Sequence, residues 1–232
     1  SAVGSKSSPT DMVTEMDRAA EDLIVRRLRE SRPDDGLIGE EGTSVASRSG
    51  VTWVIDPLDG TTNYLYRLPA FSVSIAAETE GGVVAGVVHN PVLAETYAAA
   101  AGEGATLNGS PLVIGEAPEM TSALVSTGFG YDPNRRREQA EVVARLIASV
   151  RDIRRFGSAA LDLCSVASGR SDIYFEQGCQ RWDMAAGALV AREAGAAVGS
   201  LEGEGWPTTE MAIAAHPALF EQFRELLIRS RR

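Results

Sequence analysis

Trp53-Val54-Ile55-Asp56-Pro57-Leu58-Asp59-Gly60-Thr61-Thr62-Asn63-Tyr64 runs an apolar, β-prone segment straight into two carboxylates three residues apart. Pro57 fixes the backbone between them, and the pattern predicts a turn there that points both acids at one spot. Like charges held that close repel unless something cationic sits between them. Mg2+ suits the place, because it prefers oxygen ligands, keeps several waters and takes few carboxylates plus substrate phosphate. Gly60-Thr61-Thr62 predicts a turn into a short helix, whose backbone N–H groups and positive dipole end suit a phosphate. An Asp-x-x-Asp standing alone is as readily an Asx-type turn capping a helix. The strand, the paired acids and Gly-Thr-Thr together favour adjoining cation and anion sites.

The chain around that stretch has 232 residues, enough for one large domain or two modest ones. Its 44% apolar and 23% charged fractions are those of an ordinary globular protein and set aside disordered and fibrous classes. Lys and Arg number 22 against 32 Asp and Glu, for a net charge of −10. Such a surface repels nucleic acid and anionic membranes by default. The least charged run, residues 81–94, is interrupted by Gly86, His89, Asn90 and Pro91, so no membrane span is expected. The chain opens Ser1-Ala2-Val3 without an initiator Met or a signal-peptide pattern, and residues ahead of Ser1 are expected to be missing. Two cysteines, Cys164 and Cys179, are too few for a disulfide scaffold and fit a reducing cytoplasm. With only His89 and His216, any metal must be held by oxygen.

Met12, Val13, Met16, Ala19, Ala20, Leu23, Ile24 and Leu28 recur at helical spacing and predict an amphipathic helix over 11–31, capped by Thr10-Asp11 and stopped by Pro33. Segments 51–55, 71–80, 82–89 and 95–100 are β-prone, with Gly81-Gly82 as a hairpin turn, so the first half reads as a helix plus a largely antiparallel sheet. Beyond Pro118, buried strands at 123–126, 173–176, 196–199 and 211–214 alternate with helices at 134–150, 158–169, 182–194 and 217–229. That alternation predicts an α/β half, giving an α+β unit over 1–117 and an α/β unit over 118–232. Residues 44–50 and 200–207 read as exposed loops.

Three further acidic elements have ordinary readings when taken singly. Glu40-Glu41, after Leu37-Ile38-Gly39, would be a solvated loop; Asp183 would be the N-cap of the following helix; Asp17 would be a surface charge. Cys164 reads as core and Cys179 as a candidate oxidation-sensitive thiol. The basic groups Arg135-Arg136-Arg137, Arg154-Arg155 and 229–232 read as solvated helix faces and a frayed terminus.

In sequence order, Gly39-Glu40-Glu41, Asp56-Pro57-Leu58-Asp59-Gly60-Thr61-Thr62-Asn63 and Trp182-Asp183-Met184-Ala185-Ala186-Gly187 closely resemble the inositol monophosphatase family of magnesium-dependent, lithium-sensitive phosphomonoesterases. Asp11-Met12-Val13-Thr14-Glu15-Met16-Asp17 resembles that family's D-x-V-T-x-x-D segment, and Lys6-Ser7-Ser8-Pro9 the residues just before it. The resemblance covers essentially the whole chain. It implies a layered αβαβα sandwich of the sugar-phosphatase type, a site at the junction of the two halves, and a homodimer.

The resemblance also implies roles. Glu40, Asp56 and the backbone carbonyl of Leu58 would hold a first Mg2+, and Asp56, Asp59 and Asp183 a second. A third, weaker ion would lean on Glu40 through water. Asp17 and Thr61, with Glu40, would orient and deprotonate the attacking water, while the Gly60 and Thr61 amides cradle the phosphate. Asp59, Ala159, Glu176 and Asp183 would border the substrate. The expected reaction is hydrolysis of a small phosphate monoester, inositol 1-phosphate foremost; fructose 1,6-bisphosphate, histidinol phosphate and 3′-phosphoadenosine 5′-phosphate are alternatives. A non-catalytic place in RNA or transcription complexes is the reading from another class, and the charge balance argues against direct nucleic-acid contact.

Overall fold

The computed structural model describes residues 3–5 and 12–231. Lys6-Ser7-Ser8-Pro9 and Thr10-Asp11 lie outside the described residues, with the helix cap expected at the last two. Strand β1 (Val3–Ser5) pairs antiparallel with β2 (Met12–Thr14), and the chain then enters helix α1 (Glu15–Ser31). The helix expected from residue 11 therefore starts four residues later. Val13 and Thr14 are β-branched, and pairing with residues 3–5 gives that preference for extended backbone a ladder to join.

An eight-stranded sheet follows. It contains β3 (Gly36–Gly39), β4 (Ser44–Val45), β5 (Thr52–Asp59), β6 (Ser72–Thr79), β7 (Gly82–Asn90), β8 (Glu95–Ala100), β9 (Gly104–Leu107) and β10 (Ser110–Leu112), with helix α2 (Thr61–Leu65) after β5. The order is β10-β9-β8-β7-β6-β5-β3-β4, antiparallel throughout except for the parallel pair β3 and β5. The second sheet, in order β12-β11-β13-β16-β14-β15, comprises β11 (Leu124–Thr127), β12 (Asp152–Arg154), β13 (Ile173–Glu176), β14 (Ala197–Ser200), β15 (Gly203–Glu204) and β16 (Ala212–Ala215). Helices α3 (Pro133–Leu146), α4 (Ala159–Ala167), α5 (Arg181–Glu193) and α6 (Pro217–Ser230) alternate with these strands. The short strands β4 and β15 fall inside the two stretches read as loops.

These elements stack as α1, the first sheet, α4 with α5, the second sheet, then α3 with α6, so the expected αβαβα layering holds. One apolar core fills the space around α4 and α5, and a second lies between the six-stranded sheet and the outer helices. The small residues after Asp183 permit that close stacking. A Cβ at Gly86 of β7 would come within 2.9 Å of the Ala186 Cα, and one at Gly187 within 3.0 Å of the Ala160 carbonyl oxygen. Among the described residues no helix is long and apolar enough to cross a membrane.

One correction reaches the site directly. Pro57 does not make a turn; β5 runs on through Asp59 and bulges between Asp56 and Asp59. In a regular strand, residues three apart point to opposite faces. Here Asp56 pairs with Ser74 and Asp59 with Ser72, so three steps on β5 oppose two on β6 and both acids stand on one face. Pro57, which has no N–H to give a ladder, is well placed in such a bulge.

Candidate active site

A cleft of about 430 Å3 opens where the ends of β3 and β5 meet the N-termini of α2, α4 and α5. Glu40, Asp56, Leu58, Asp59, Gly60, Thr61, Ala159, Glu176 and Asp183 all line it. Asp17, the other residue to which the resemblance gave a role, is not among the lining residues; it is buried on α1.

Each acid is held by its own local structure. The Leu58 amide donates to Asp56 Oδ1 at 2.9 Å, closing the bulge, and Glu40 hydrogen-bonds the same carboxyl group. Asp59 Oδ2 accepts from Ser158 Oγ at 2.5 Å and from the Ala160 amide at 2.8 Å. Asp183 is not the N-cap of α5. Gln180 occupies that place, and its amide donates at 2.6 Å to Oδ2 of Asp183, which stands three residues into the helix in a capping box. Glu40 sits on a tight turn that Glu21 grips, accepting from the Glu41 amide at 2.9 Å and the Thr43 amide at 3.1 Å. Gly39 makes that grip possible, since a Cβ there would collide with the Glu21 carboxylate. Glu40-Glu41 is thus an anchored turn and not a loose loop.

Burial and mutual repulsion set the charge state of these groups. Asp56 is pushed well above the usual carboxylate range, first by burial and then by the charges of Glu40, Asp59 and Asp183. Asp183 is raised by burial and by Asp59. Burial lifts Asp59 to about 6 even though Ser158 and the Ala160 amide pull it down. Among the described residues, no three His, Cys, Asp or Glu side chains stand close enough to form a finished metal cage. The acids face one another across the cleft, each with one oxygen or one neighbour engaged, and a cation would offset the repulsion that raises them. The donors on offer are carboxylate oxygens and the Leu58 carbonyl, a hard-oxygen set that fits Mg2+ and offers little to Zn2+.

Beside the acids, Gly60 caps α2 at φ 92°, a left-handed conformation that suits glycine, and Thr61 Oγ1 donates to the Leu58 carbonyl at 3.2 Å. On the far sheet, Tyr174 donates to Glu176 Oε2 at 3.0 Å, and burial nonetheless raises Glu176 to about 7. Cys179 also lines the cleft, but burial pushes its thiol up, the opposite of what an oxidation-sensitive thiolate needs. Cys164 is core, as expected. Asp162, one turn into α4 and buried, is likewise raised by burial and by Glu176.

Sequence reading passed over Ser158 and Glu21, which hold Asp59 and the Glu40 turn, and Asp162, whose charge state is tied to Glu176. Ser158 carried a signal, because a Gly-Ser pair ahead of a helical stretch marks an N-cap. Arg135 and Arg155 line the cleft, which corrects their reading as solvated helix faces. Arg154 is on β12, where it pairs with Asp152, and Arg229 pairs with Glu225 on α6.

An αβαβα sandwich with buried oxygen donors beside a glycine-threonine turn, at the seam of its two sheets, defines a phosphate-ester hydrolase that works with a divalent cation. The sequence model of the inositol monophosphatase family matches residues 1–232. An inositol-1-monophosphatase SuhB of Mycobacterium tuberculosis is 49% identical over 206 residues, covering 85% of this chain and 71% of that protein. A Nus factor SuhB of Pasteurella multocida is 42% identical over 218 residues, covering 93% and 82%. The crystal structure of the extragenic suppressor protein SuhB from Bartonella henselae superposes with a TM-score of 0.91 at 37% identity, over 97% of this chain and 89% of that one. The chain belongs to the inositol monophosphatase family. Dependence on Mg2+ comes with that membership.

Proposed function

We propose that this cleft hydrolyses the phosphate monoester of a small polyol, inositol 1-phosphate first among them, to the free alcohol and inorganic phosphate. What carries the proposal is the meeting of Glu40, Asp56, Asp59 and Asp183, from three separate segments, in one cleft with Gly60 and Thr61. The relatives named as inositol-1-monophosphatases support inositol 1-phosphate as the substrate.

Glu40, Asp56 and the Leu58 carbonyl would hold one ion, Asp56, Asp59 and Asp183 a second, and Glu40, through water, a weaker third. Bound Mg2+ supplies charge neutralisation for the phosphate and lowers the pKa of coordinated water. The chain's own residues do the rest. Thr61 has its hydroxyl proton committed to the Leu58 carbonyl, so a lone pair of Oγ1 is left to accept a hydrogen bond from the attacking water and orient it, and the carboxylate of Glu40 takes the proton that the water loses. Asp17, buried on α1, would be a positioning residue for that water. The Gly60 and Thr61 amides cradle the phosphate oxygens, and Glu176 with Ala159 receives the hydroxyl-bearing part of the substrate. No covalent enzyme intermediate is needed, since water adds to phosphorus as the alkoxide leaves with a proton.

A homodimer is inferred from the family resemblance alone, and the two free cysteines fit a reducing cytoplasm. The test is phosphate release from a panel of monoesters with and without Mg2+. Release from inositol 1-phosphate that stops on chelation is the expected result. Release that persists under chelator, or no release at all with Mg2+ present, would overturn the proposal.

A further inference from the structure

We infer that Asp162 is a positioning residue for the substrate: a buried carboxylic acid behind Glu176, it gives a hydrogen bond that keeps the Glu176 carboxylate charged and turned to the cleft. The inference rests on the phosphatase reading and deepens it, since Glu176 is the group assigned to the substrate hydroxyls.

Asp162 has no role in its own helix. The buried face of α4 is otherwise apolar, with Ala159, Ala160, Leu163, Cys164 and Val166, and Asp162 lies in it at 1% exposure. An acid in the first turn of a helix ordinarily serves the free amides there. In α4 that task is already filled, because Asp59 Oδ2 accepts from the Ala160 amide and Ser158 Oγ from the Leu161 amide. The Asp162 amide itself donates to the Ser158 carbonyl at 2.9 Å.

The Asp162 carboxyl meets the second sheet instead, where Ser126 of β11 and Glu176 and Tyr174 of β13 act on it or feel it. Ser126 is in register with Tyr174, and both stand on the face that carries Glu176 two residues further along β13. Gly128, two residues beyond Ser126, leaves room for that arrangement: a Cβ there would collide with the Glu176 carboxyl, which therefore leans over β11. Asp162 and Glu176 are thus two acids in one small polar pocket between α4 and the sheet.

Only one of them can hold a charge comfortably. Among the described residues neither Asp162 oxygen has a hydrogen-bond partner, nor has Ser126 Oγ, although Ser126 stands near enough to favour the ionised Asp162. Arg155, in the loop before α4, favours it too, while Glu176 and Asp59 of β5 oppose it. A buried carboxylate with both oxygens unpartnered and a second acid in front of it is costly; a carboxylic acid has a proton to give and is not. Burial and then the charge of Glu176 push Asp162 well above the usual carboxylate range, and Mg2+ on Asp59 leaves both of those causes in force. Glu176 reaches only about 7, since Tyr174 and Arg155 pull it down. The deeper acid keeps the proton and the outer one the charge. Tyr174 serves Glu176 Oε2, and the Asp162 O–H supplies the second donor.

The experiment compares the wild type, Asp162→Leu, Asp162→Asn, Glu176→Gln and Asp162→Leu/Glu176→Gln, all with Mg2+ and with circular dichroism to match the folds. The substrates are inositol 1-phosphate and p-nitrophenyl phosphate, whose leaving group has no further hydroxyl for Glu176 to receive. Asp162→Leu should raise KM for inositol 1-phosphate about tenfold, the worth of one hydrogen bond to a charged group, with a much smaller change on p-nitrophenyl phosphate. Asp162→Asn, whose amide can donate in the same place, should recover most of that loss and keep the acid limb of kcat/KM where it is. The double variant should be no worse than Glu176→Gln alone. An infrared difference spectrum of the Mg2+-loaded wild type against Asp162→Asn at pH 7 should show one protonated carboxyl lost. Equal losses on the two esters, no loss on either, a further loss in the double variant, an acid limb that moves to lower pH in Asp162→Asn, or no protonated carboxyl band each overturns the inference and leaves the phosphatase proposal standing. If Asp162→Leu does not fold, Asp162→Ala is read in its place by the same criteria. A wild type that turns over neither ester sinks the phosphatase proposal, and the positioning role falls with it.

Discussion

Asp59 and Ser158, 99 residues apart, meet at the seam of the two sheets, where Ser158 Oγ donates to Asp59 Oδ2 at 2.5 Å. The Ala160 amide donates to the same oxygen, so a carboxylate on β5 caps the helix that begins the next layer. One oxygen of Asp59 is thus bound to the protein frame, and the other is left for the cleft.

That division of labour separates two substitutions. In Asp59→Asn the amide oxygen can still accept from Ser158 and Ala160, so circular dichroism and Tm should stay near wild type. The lost charge should lower kcat/KM on the order of 10^3-fold. Ser158→Ala keeps the charge and the Ala160 hydrogen bond but removes one of the two donors that fix the carboxylate, with a fall of roughly 10–100-fold, the usual cost of losing a group that orients a ligand. Equal losses in the two variants would contradict this assignment.

Raised carboxylates make the metal-free protein sensitive to rising pH. Asp59 titrates near its ordinary 3.8 when unfolded and near about 6 when folded. The folded state therefore holds the proton more tightly. The stability this contributes is complete below pH 3.8 and is lost as pH climbs through about 6. Glu176, raised to about 7, extends the loss toward neutrality, and Asp56 and Asp183 act in the same direction. Without metal, Tm measured between pH 5 and 8 should fall as pH rises. Added Mg2+ at a hundredfold excess over its Kd should stabilise by ~2.7 kcal/mol, roughly 5–10 °C, and at a fixed Mg2+ concentration it should restore more at pH 8 than at pH 5. A metal-free Tm that rises across that window would refute the account.

Much of this was legible before the coordinates. The alternation of strand and helix beyond residue 118 is set by apolar runs and turn residues, which are local signals, and the motif acids share a cleft as the family resemblance implied. What escaped was non-local. Leu23 and Met16 on α1 look like core yet are exposed, while the buried positions are Asp17 and Glu21, because what lies beneath α1 is a turn with amides to satisfy. The bulge at Pro57 depends on register with Ser72 and Ser74, which no periodicity within β5 reveals. Arg155 looked like a solvated charge because the glycine that seats it, Gly157, has meaning only once its φ is known.

Glu21 offers a test of that non-local logic. Its two oxygens take the Glu41 and Thr43 amides, which fixes the turn that presents Glu40. Glu21→Ala should leave those amides poorly satisfied at a cost of ~1–3 kcal/mol. Because Glu40 then loses its fixed direction, the Mg2+ concentration for half-maximal activity should rise about tenfold or more. Glu21→Gln, which keeps one acceptor oxygen, should fall between. An unchanged Mg2+ requirement in Glu21→Ala would show that the turn holds its shape unaided.

Tyr174 and Glu176 supply the last prediction. The Tyr174 hydroxyl donates to Glu176 Oε2 at 3.0 Å and is the largest influence opposing the burial that raises this carboxyl to about 7. In Tyr174→Phe the donor is gone while the burial stays, so the Glu176 pKa must climb further. If Glu176 accepts a hydrogen bond from a substrate hydroxyl, the ionised form is the active one, and the acid limb of the kcat/KM profile should move to higher pH, by about one unit if the lost hydrogen bond is worth ~1.4 kcal/mol. Glu176→Gln cannot ionise and should flatten the same limb. Should Tyr174→Phe lower activity evenly at every pH, Tyr174 would be filling space and not tuning its neighbour.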